Sequence, residues 1–303
     1  MRIMTFTAFS LVFISAFLHA GWNFLSKKQV PSLAFYSLTS ITATLLSLPG
    51  FLLLGLRFST LPAMFWPIWI GSLVFEVLYV YGLAHAYRRD DISLVYPLAR
   101  ALPVLLTAAV TLMIGIGASP GGKALAGMVV LSSGCILLPV RSLGDFNRNT
   151  FRSGALKYIL LAAVGTTGYT ILDSTAIRLV RANAGISAIS CSISYLFMIE
   201  GGLAVSLLAA TAWNPAERAE FKKLFLKSAT PIVSGIFSSS AYVLILLAMS
   251  YVTNVSYIQA FRQMSLPLGV LAGVALLHER PGKPRLAGIA LVIAGLVITA
   301  LGA

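Results

Sequence analysis

Five charged side chains stand inside long apolar runs of this sequence: Glu76, Arg100, Asp173, Glu200 and Arg262. A charge in hydrocarbon costs about 2.5–3.5 kcal/mol on insertion scales, so such residues mark function by default. Arginine offers a planar fork of donors that suits a carboxylate or phosphate. Burial of a carboxyl favours its protonated form, so it can carry a proton near neutral pH or meet the amino group of a solute. The competing reading is that the five pair with one another and hold a bundle together.

Their neighbours extend the set. Arg100 lies in "YPLARALP", four residues after Tyr96 on one helical face and between Pro97 and Pro103. Proline removes a helix hydrogen bond and frees a carbonyl for other use. Arg262 lies in "QAFRQMSLP", where Gln259, Arg262 and Gln263 share a face by i, i+3, i+4 spacing and Pro267 follows. The two arginines are expected at similar depth, reaching in from opposite sides of the membrane, with one of them as the anion contact. Tyr169 and Asp173 are spaced i, i+4, and Glu76 shares a face with Tyr79. Glu200 precedes Gly201 and Gly202, which allow close helix approach. In "LHAGWNFLSKK", His19 and Asn23 are also spaced i, i+4, with Trp22 beside them. These residues form the candidate solute site.

Other polar groups read more blandly. Tyr242 is left out because no polar candidate shares its face. Ser238, Ser239 and Ser240 suit helix packing, and His85 and His278 suit span ends. Cys135 and Cys191 read as small core residues. The three histidines have no metal-ligand spacing, and no phosphate loop, Gly-x-Ser-x-Gly or His-Glu-x-x-His stretch occurs, so neither a metal nor a cofactor is expected.

The elements that must hold these residues follow from composition. Of 303 residues, 58% are hydrophobic and 10% charged, far below the charge of a soluble domain. Crossing a bilayer as helix takes ~20 apolar residues, and the backbone must be satisfied within the segment. Ten spans are expected, at 4–25, 33–55, 66–87, 92–116, 124–140, 155–178, 185–211, 229–251, 256–277 and 286–302. The fold class is therefore an all-α membrane protein. The net charge of +13 fits topology better than nucleic acid. Arg2, Arg57, Lys123, Arg178 and Arg181 fall on one side, and the remaining loop lysines and arginines on the other, which is then cytoplasmic with both termini outward. Between the seventh and eighth spans, "NPAERAEFKKLFLK" (214–227) reads as a short amphipathic helix on the cytoplasmic membrane surface, with Phe221, Leu224 and Phe225 on one face and no part in the chemistry.

The two halves resemble each other. "SPGGKALAGMVVLSSGCILL" (119–138) matches "ERPGKPRLAGIALVIAGLVI" (279–298). Upstream, Gly71 pairs with Gly235, Tyr87 with Tyr251, Asp90 with Asn254 and Pro103 with Pro267. Nearer the start, His19 pairs with Tyr169, Asn23 with Asp173 and Lys28 with Arg178. The division is 1–150 and 151–303, with five spans each. An odd number inverts the second half, and inverted repeats place a solute site near the midplane between them. Arg2 and the following apolar run also look like a signal peptide, but the repeat needs 4–25 as the partner of the sixth span.

The ten spans in two halves, "HAGWN" at 19–23 before Lys27 and Lys28, "YPLARALP" at 96–103 and "LLHERPGKPRLAGIALVIAGLVI" resemble the EamA family of the drug/metabolite transporter superfamily over nearly the whole chain. Glu279 before the last helix matches a recurrent family feature, and "GIGASPGG" lacks its counterpart. The resemblance implies a bacterial inner-membrane protein that exports or exchanges small solutes such as amino acids by alternating access. Two arginines and three acids suit a zwitterion, with proton coupling possible in principle through the acids. A polytopic enzyme acting on a lipid-like substrate and a passive channel are the alternatives. The mid-span polar groups and short loops fit a carrier better than either, and the oligomeric state stays open.

Overall fold

A computed structural model describes residues 4–26, 32–54, 56–90, 92–138, 140, 154–277 and 282–303. Lys27, Lys28, His278 and Glu279 lie outside them, as do the side chains of Trp22, Asn23 and Tyr96. The described residues are helical apart from turns and one isolated bridge, Met4 to Val252. The first half contributes α1 (Phe6–Ser26), α2 (Leu33–Leu53), α3 (Phe65–Tyr87), α4 (Ile92–Met113) and α5 (Gly122–Leu137). Then come α6 (Leu156–Asn183), α7 (Ala188–Trp213), α8 (Pro215–Lys227), α9 (Thr230–Met249), α10 (Val255–Phe261), α11 (Ser265–Leu277) and α12 (Lys283–Leu301).

Five of these, α2, α3, α7, α9 and α12, are long and apolar enough to cross a membrane. Shorter apolar stretches occupy Phe6–Gly21, Pro97–Met113 and Gly122–Leu137. Large apolar side chains face outward along many helices, among them Leu53, Val205, Val297 and Trp213, the last 91% exposed. A water-soluble monomer does not carry so much exposed apolar surface; the chain is that of an integral membrane protein.

Local chemistry explains how polar residues are accommodated. Ser32 caps α2 by accepting from the Phe35 N–H at 3.1 Å, Asn214 caps α8 from Ala216 at 3.0 Å, and Asn254 caps α10 from Ser256 at 2.8 Å. Along α2, Ser37, Thr39, Thr42, Thr44 and Ser47 each donate to the carbonyl four residues earlier. A hydroxyl satisfied by its own helix can sit in an apolar bundle without an orphaned donor.

Two expectations are corrected. The ninth span is not one continuous helix: α10 ends at Phe261, a 3₁₀ turn covers Arg262–Met264, and α11 begins at Ser265. Helix α8 is also more than a surface element. Its Glu217, 1% exposed, accepts from the Ala34 N–H at the start of α2 (2.9 Å) and from the half-exposed Arg88 just after α3. Leu224 is buried while Phe225 faces outward. The reason is that a carboxylate near orphaned N–H groups at a helix start is worth more inside than in water.

The tightest packing pairs are α3 with α6, α5 with α12, α2 with α7, and α1 with α9. The α5–α12 crossing is antiparallel and runs on glycine. A methyl on Gly134 would stand 2.6 Å from the Val292 nitrogen and 2.8 Å from the Gly288 carbonyl. One on Gly127 would meet Thr299 and the Gly295 carbonyl, and one on Gly295 would meet the Leu131 backbone. Small residues let the backbones touch, which is how helices associate where no hydrophobic drive exists between them.

Gly134→Ala is therefore expected to lower the detergent-solubilised protein's apparent stability by about 1–3 kcal/mol. Gly122→Ala, where a methyl meets nothing within 4 Å, is expected to be neutral or stabilising in the same thermal unfolding assay. Glu217→Ala orphans the Ala34 N–H and loses the Arg88 partner, at a cost of about 1–3 kcal/mol that the same assay reads.

Candidate functional site

A cavity of about 110 Å³ opens among the helices where α1, α2, α3, α4, α6, α7, α9 and the 3₁₀ turn come together. That is of the order of the ~150 Å³ engineered cavity that admits benzene, so the space fits a small molecule. Glu76 lies halfway along α3, Glu200 halfway along α7, and Arg100 in the middle of α4. The helices carry these groups to the cavity from the depth of the bundle rather than from its ends.

Arg100 organises one wall. Its Nε donates to Gln263 Oε1 at 3.1 Å, and its Nη2 to the Arg262 carbonyl at 2.8 Å and to Ser265 Oγ at 3.2 Å. Its Nη1 lies 2.8 Å from His19 Nε2. A guanidinium has donors and no acceptor, so His19 Nε2 must accept and the imidazole is the neutral form with its proton on Nδ1. The Gln263 amide is oriented in turn by its own Nε2, which donates to the Gln259 carbonyl at 2.9 Å. Arg100 thus joins α1, α4 and the broken helix at one point. The Arg100 guanidinium meets the Arg262 backbone there.

Arg262 is differently placed. Its Nη1 reaches Gln259 Oε1 only at 3.5 Å, its guanidinium carbon stands 5.8 Å over the Tyr242 ring, and Tyr169 flanks it. Tyr169 packs edge-on to Tyr79 (5.6 Å) and to Tyr242 (6.2 Å), forming an aromatic wall.

The carboxylates divide as well. Asp173, 0% exposed, does not line the cavity. It accepts from Tyr195 Oη at 2.6 Å, from Ser72 and from Tyr242, whose other side faces the cavity. Its oxygens are taken by hydroxyls, so it positions Tyr242. Glu76, 7% exposed, lines the cavity and its Oε2 has no hydrogen-bond partner among the described residues. Glu200 also lines it, beside Ser40. Glu76, Glu200, Asp173 and Arg262 enter no ion pair among the described residues; the two ion pairs found there involve Glu217 and Glu220. The reading in which the five charges neutralise one another does not hold for these four.

Of the candidates from sequence, His19, Glu76, Tyr79, Arg100, Tyr169, Glu200 and Arg262 come together around one cavity. Asp173, Gln259 and Gln263 stand behind its wall. Asp173 stands one turn along α6 from Tyr169, where Ser72 of α3, Tyr195 of α7 and Tyr242 of α9 close over its oxygens. Sequence reasoning missed Tyr242, Ser238, Ser15, Thr39 and Ser40, all lining the cavity. Their isolated hydroxyls look like packing residues until partners on other helices are known. Among the described residues no cluster of His, Cys, Asp or Glu is arranged to hold a metal ion.

No protein-family model and no curated protein matches the chain. A crystal structure of a protein is similar to it over 99% of this chain and 99% of its own, with a TM-score of 0.67 and 15% sequence identity. The similarity establishes a shared fold over the whole length.

Replacing Arg100 by lysine keeps the charge but loses the fork that serves four acceptors. Arg100→Lys is expected to cost about 3 kcal/mol of apparent stability, and Gln263→Ala about 1 kcal/mol, as read by thermal unfolding in detergent.

Proposed function

We propose that the chain is a secondary transporter of the EamA type, exporting or exchanging a small polar, amino-acid-like solute across a bacterial inner membrane by alternating access. The observation that carries this is the small cavity deep in an apolar bundle, lined by two carboxylic residues, two arginines and a histidine. Keeping such groups far from water is costly, and a passing charged solute accounts for them.

The packing supports two inverted halves, 1–150 and 151–303, with ten spans. Matching the two Leu-Ala-Gly stretches sets Gly127 on Gly288, Leu131 on Val292, Gly134 on Gly295 and Leu138 on Thr299. The contacts then exchange crosswise: Gly134 meets Val292 as Gly295 meets Leu131, Gly127 meets Gly295 as Gly288 meets Gly134, and Gly127 meets Thr299 as Gly288 meets Leu138. Crosswise exchange is the mark of a two-fold relation. Between antiparallel spanning helices its axis lies in the membrane plane. The pairs α3–α6 and α1–α9 exchange under the same operation. The broken helix at Arg262 is a further transporter trait, since irregular backbone in a membrane belongs where it lines a cavity.

Purified protein in liposomes is expected to give saturable counterflow of a zwitterionic solute. Glu76→Gln and Glu200→Gln are each expected to slow it at least about tenfold, one hydrogen-bonded charge contact. Appearance of a chemically altered product supports a membrane enzyme instead, and flux that never saturates supports a channel.

A further inference from the structure

The cavity holds two arginines, and their surroundings assign them different work. Arg100 spends its donors on His19, Gln263, Ser265 and the Arg262 carbonyl. Arg262 lines the same cavity with a long bond to Gln259, a hydrogen bond to Tyr169 and the Tyr242 ring beneath it, which leaves part of its fork unspent. A guanidinium has five N–H groups in a rigid fork, so Arg262 keeps donors for a guest. Its place in the 3₁₀ turn matters too: the Arg262 carbonyl is held by Arg100 Nη2 and by Ser265 Oγ at 3.0 Å, which fixes the backbone from which the side chain projects. On the acid side, Glu76 is more than nine-tenths buried, faces the cavity and leaves Oε2 without a partner among the described residues. An orphaned buried carboxyl oxygen is costly unless something occupies it.

We infer that Arg262 and Glu76 are the two ends of the solute site: Arg262 takes a carboxylate, Glu76 takes an ammonium or other N–H donor of the same molecule, and Arg100 is a positioning residue that never touches it. This rests on the reading of the cavity as a solute site. Asp173 is excluded as the cation end because three hydroxyls already occupy its oxygens. The tyrosines Tyr79, Tyr169 and Tyr242 supply the wall between the two ends and exclude water from them.

The test reads the two guanidinium groups directly, without any transport step. The purified full-length protein in detergent is treated with butanedione, a small reagent for guanidinium groups with free donors, and labelling is mapped by peptide mass spectrometry. Arg262 is expected to be modified and Arg100 to be protected; equal labelling, or labelling of Arg100 alone, overturns the division of work. The reaction is repeated with acetate, propionate, butyrate and valerate, and with glycine, β-alanine, γ-aminobutyrate and δ-aminovalerate. The plain acids are expected to slow labelling of Arg262. At least one amino acid is expected to do so at a concentration about tenfold lower than its unaminated counterpart. Glu76→Gln, checked for an unchanged thermal midpoint, is expected to remove that advantage. No protection by any acid overturns the carboxylate end, and no advantage of any amino acid overturns the Glu76 end. Protection without flux in liposomes would leave this site standing and refute the transporter reading, so the two fail separately.

Discussion

An arginine that cannot reach water must have its donors satisfied by the protein, and in this fold Arg100 meets that demand with groups from other parts of the chain. His19 on α1, Gln263 and Ser265 at the broken helix and the Arg262 carbonyl all converge on it. The constraint is reciprocal. The Arg262 carbonyl, already bonded by the Ser265 N–H within the 3₁₀ turn, takes a further donor from outside its helix, and a neutral imidazole needs a donor for its lone pair. One side chain answers both, so the relative placement of α1, α4, α10 and α11 depends on it. The cavity lies beside this knot and is shaped by it.

A second constraint acts on the outside. Helices in lipid gain nothing from hiding apolar side chains from one another, so their association has to come from close backbone contact. Glycine supplies it at the α5–α12 crossing, where Gly127, Gly134, Gly288 and Gly295 meet crosswise. At one end of the bundle Glu217 replaces that strategy with charge, tying α8 to the start of α2 and the end of α3. Hydroxyls along α2 bond their own helix, which leaves the polar face of that helix compatible with burial.

Hydropathy alone located most helices closely: 33–55 against Leu33–Leu53, and 66–87 against Phe65–Tyr87. Apolar runs and cap residues are local properties, so this much is legible in a single chain. The break at Arg262 was not, because Arg262, Gln263 and Met264 are all good helix formers and Pro267 lies downstream of the turn. The separate duties of Arg100 and Arg262 were not legible either, since both stand near prolines inside apolar runs and differ in what other helices bring to them. For the same reason Asp173 was read as cavity-facing and Tyr242 was set aside. Each error concerns a residue whose role is decided by its neighbours across the bundle. His19 stands out locally, as a polar ring within an apolar run, and it lines the cavity.

The proposed function requires the cavity to open to each side of the membrane in turn. Ser238 lines it, and the native thiols are Cys135 and Cys191, both buried. The direct measurement places a single cysteine by Ser238→Cys in a protein with both native cysteines replaced by alanine. A membrane-impermeant thiol reagent is then applied from each side, to intact spheroplasts and to inverted vesicles. The account predicts labelling from both sides, with saturating solute changing the two rates in opposite directions. Labelling confined to one side in both preparations would contradict it.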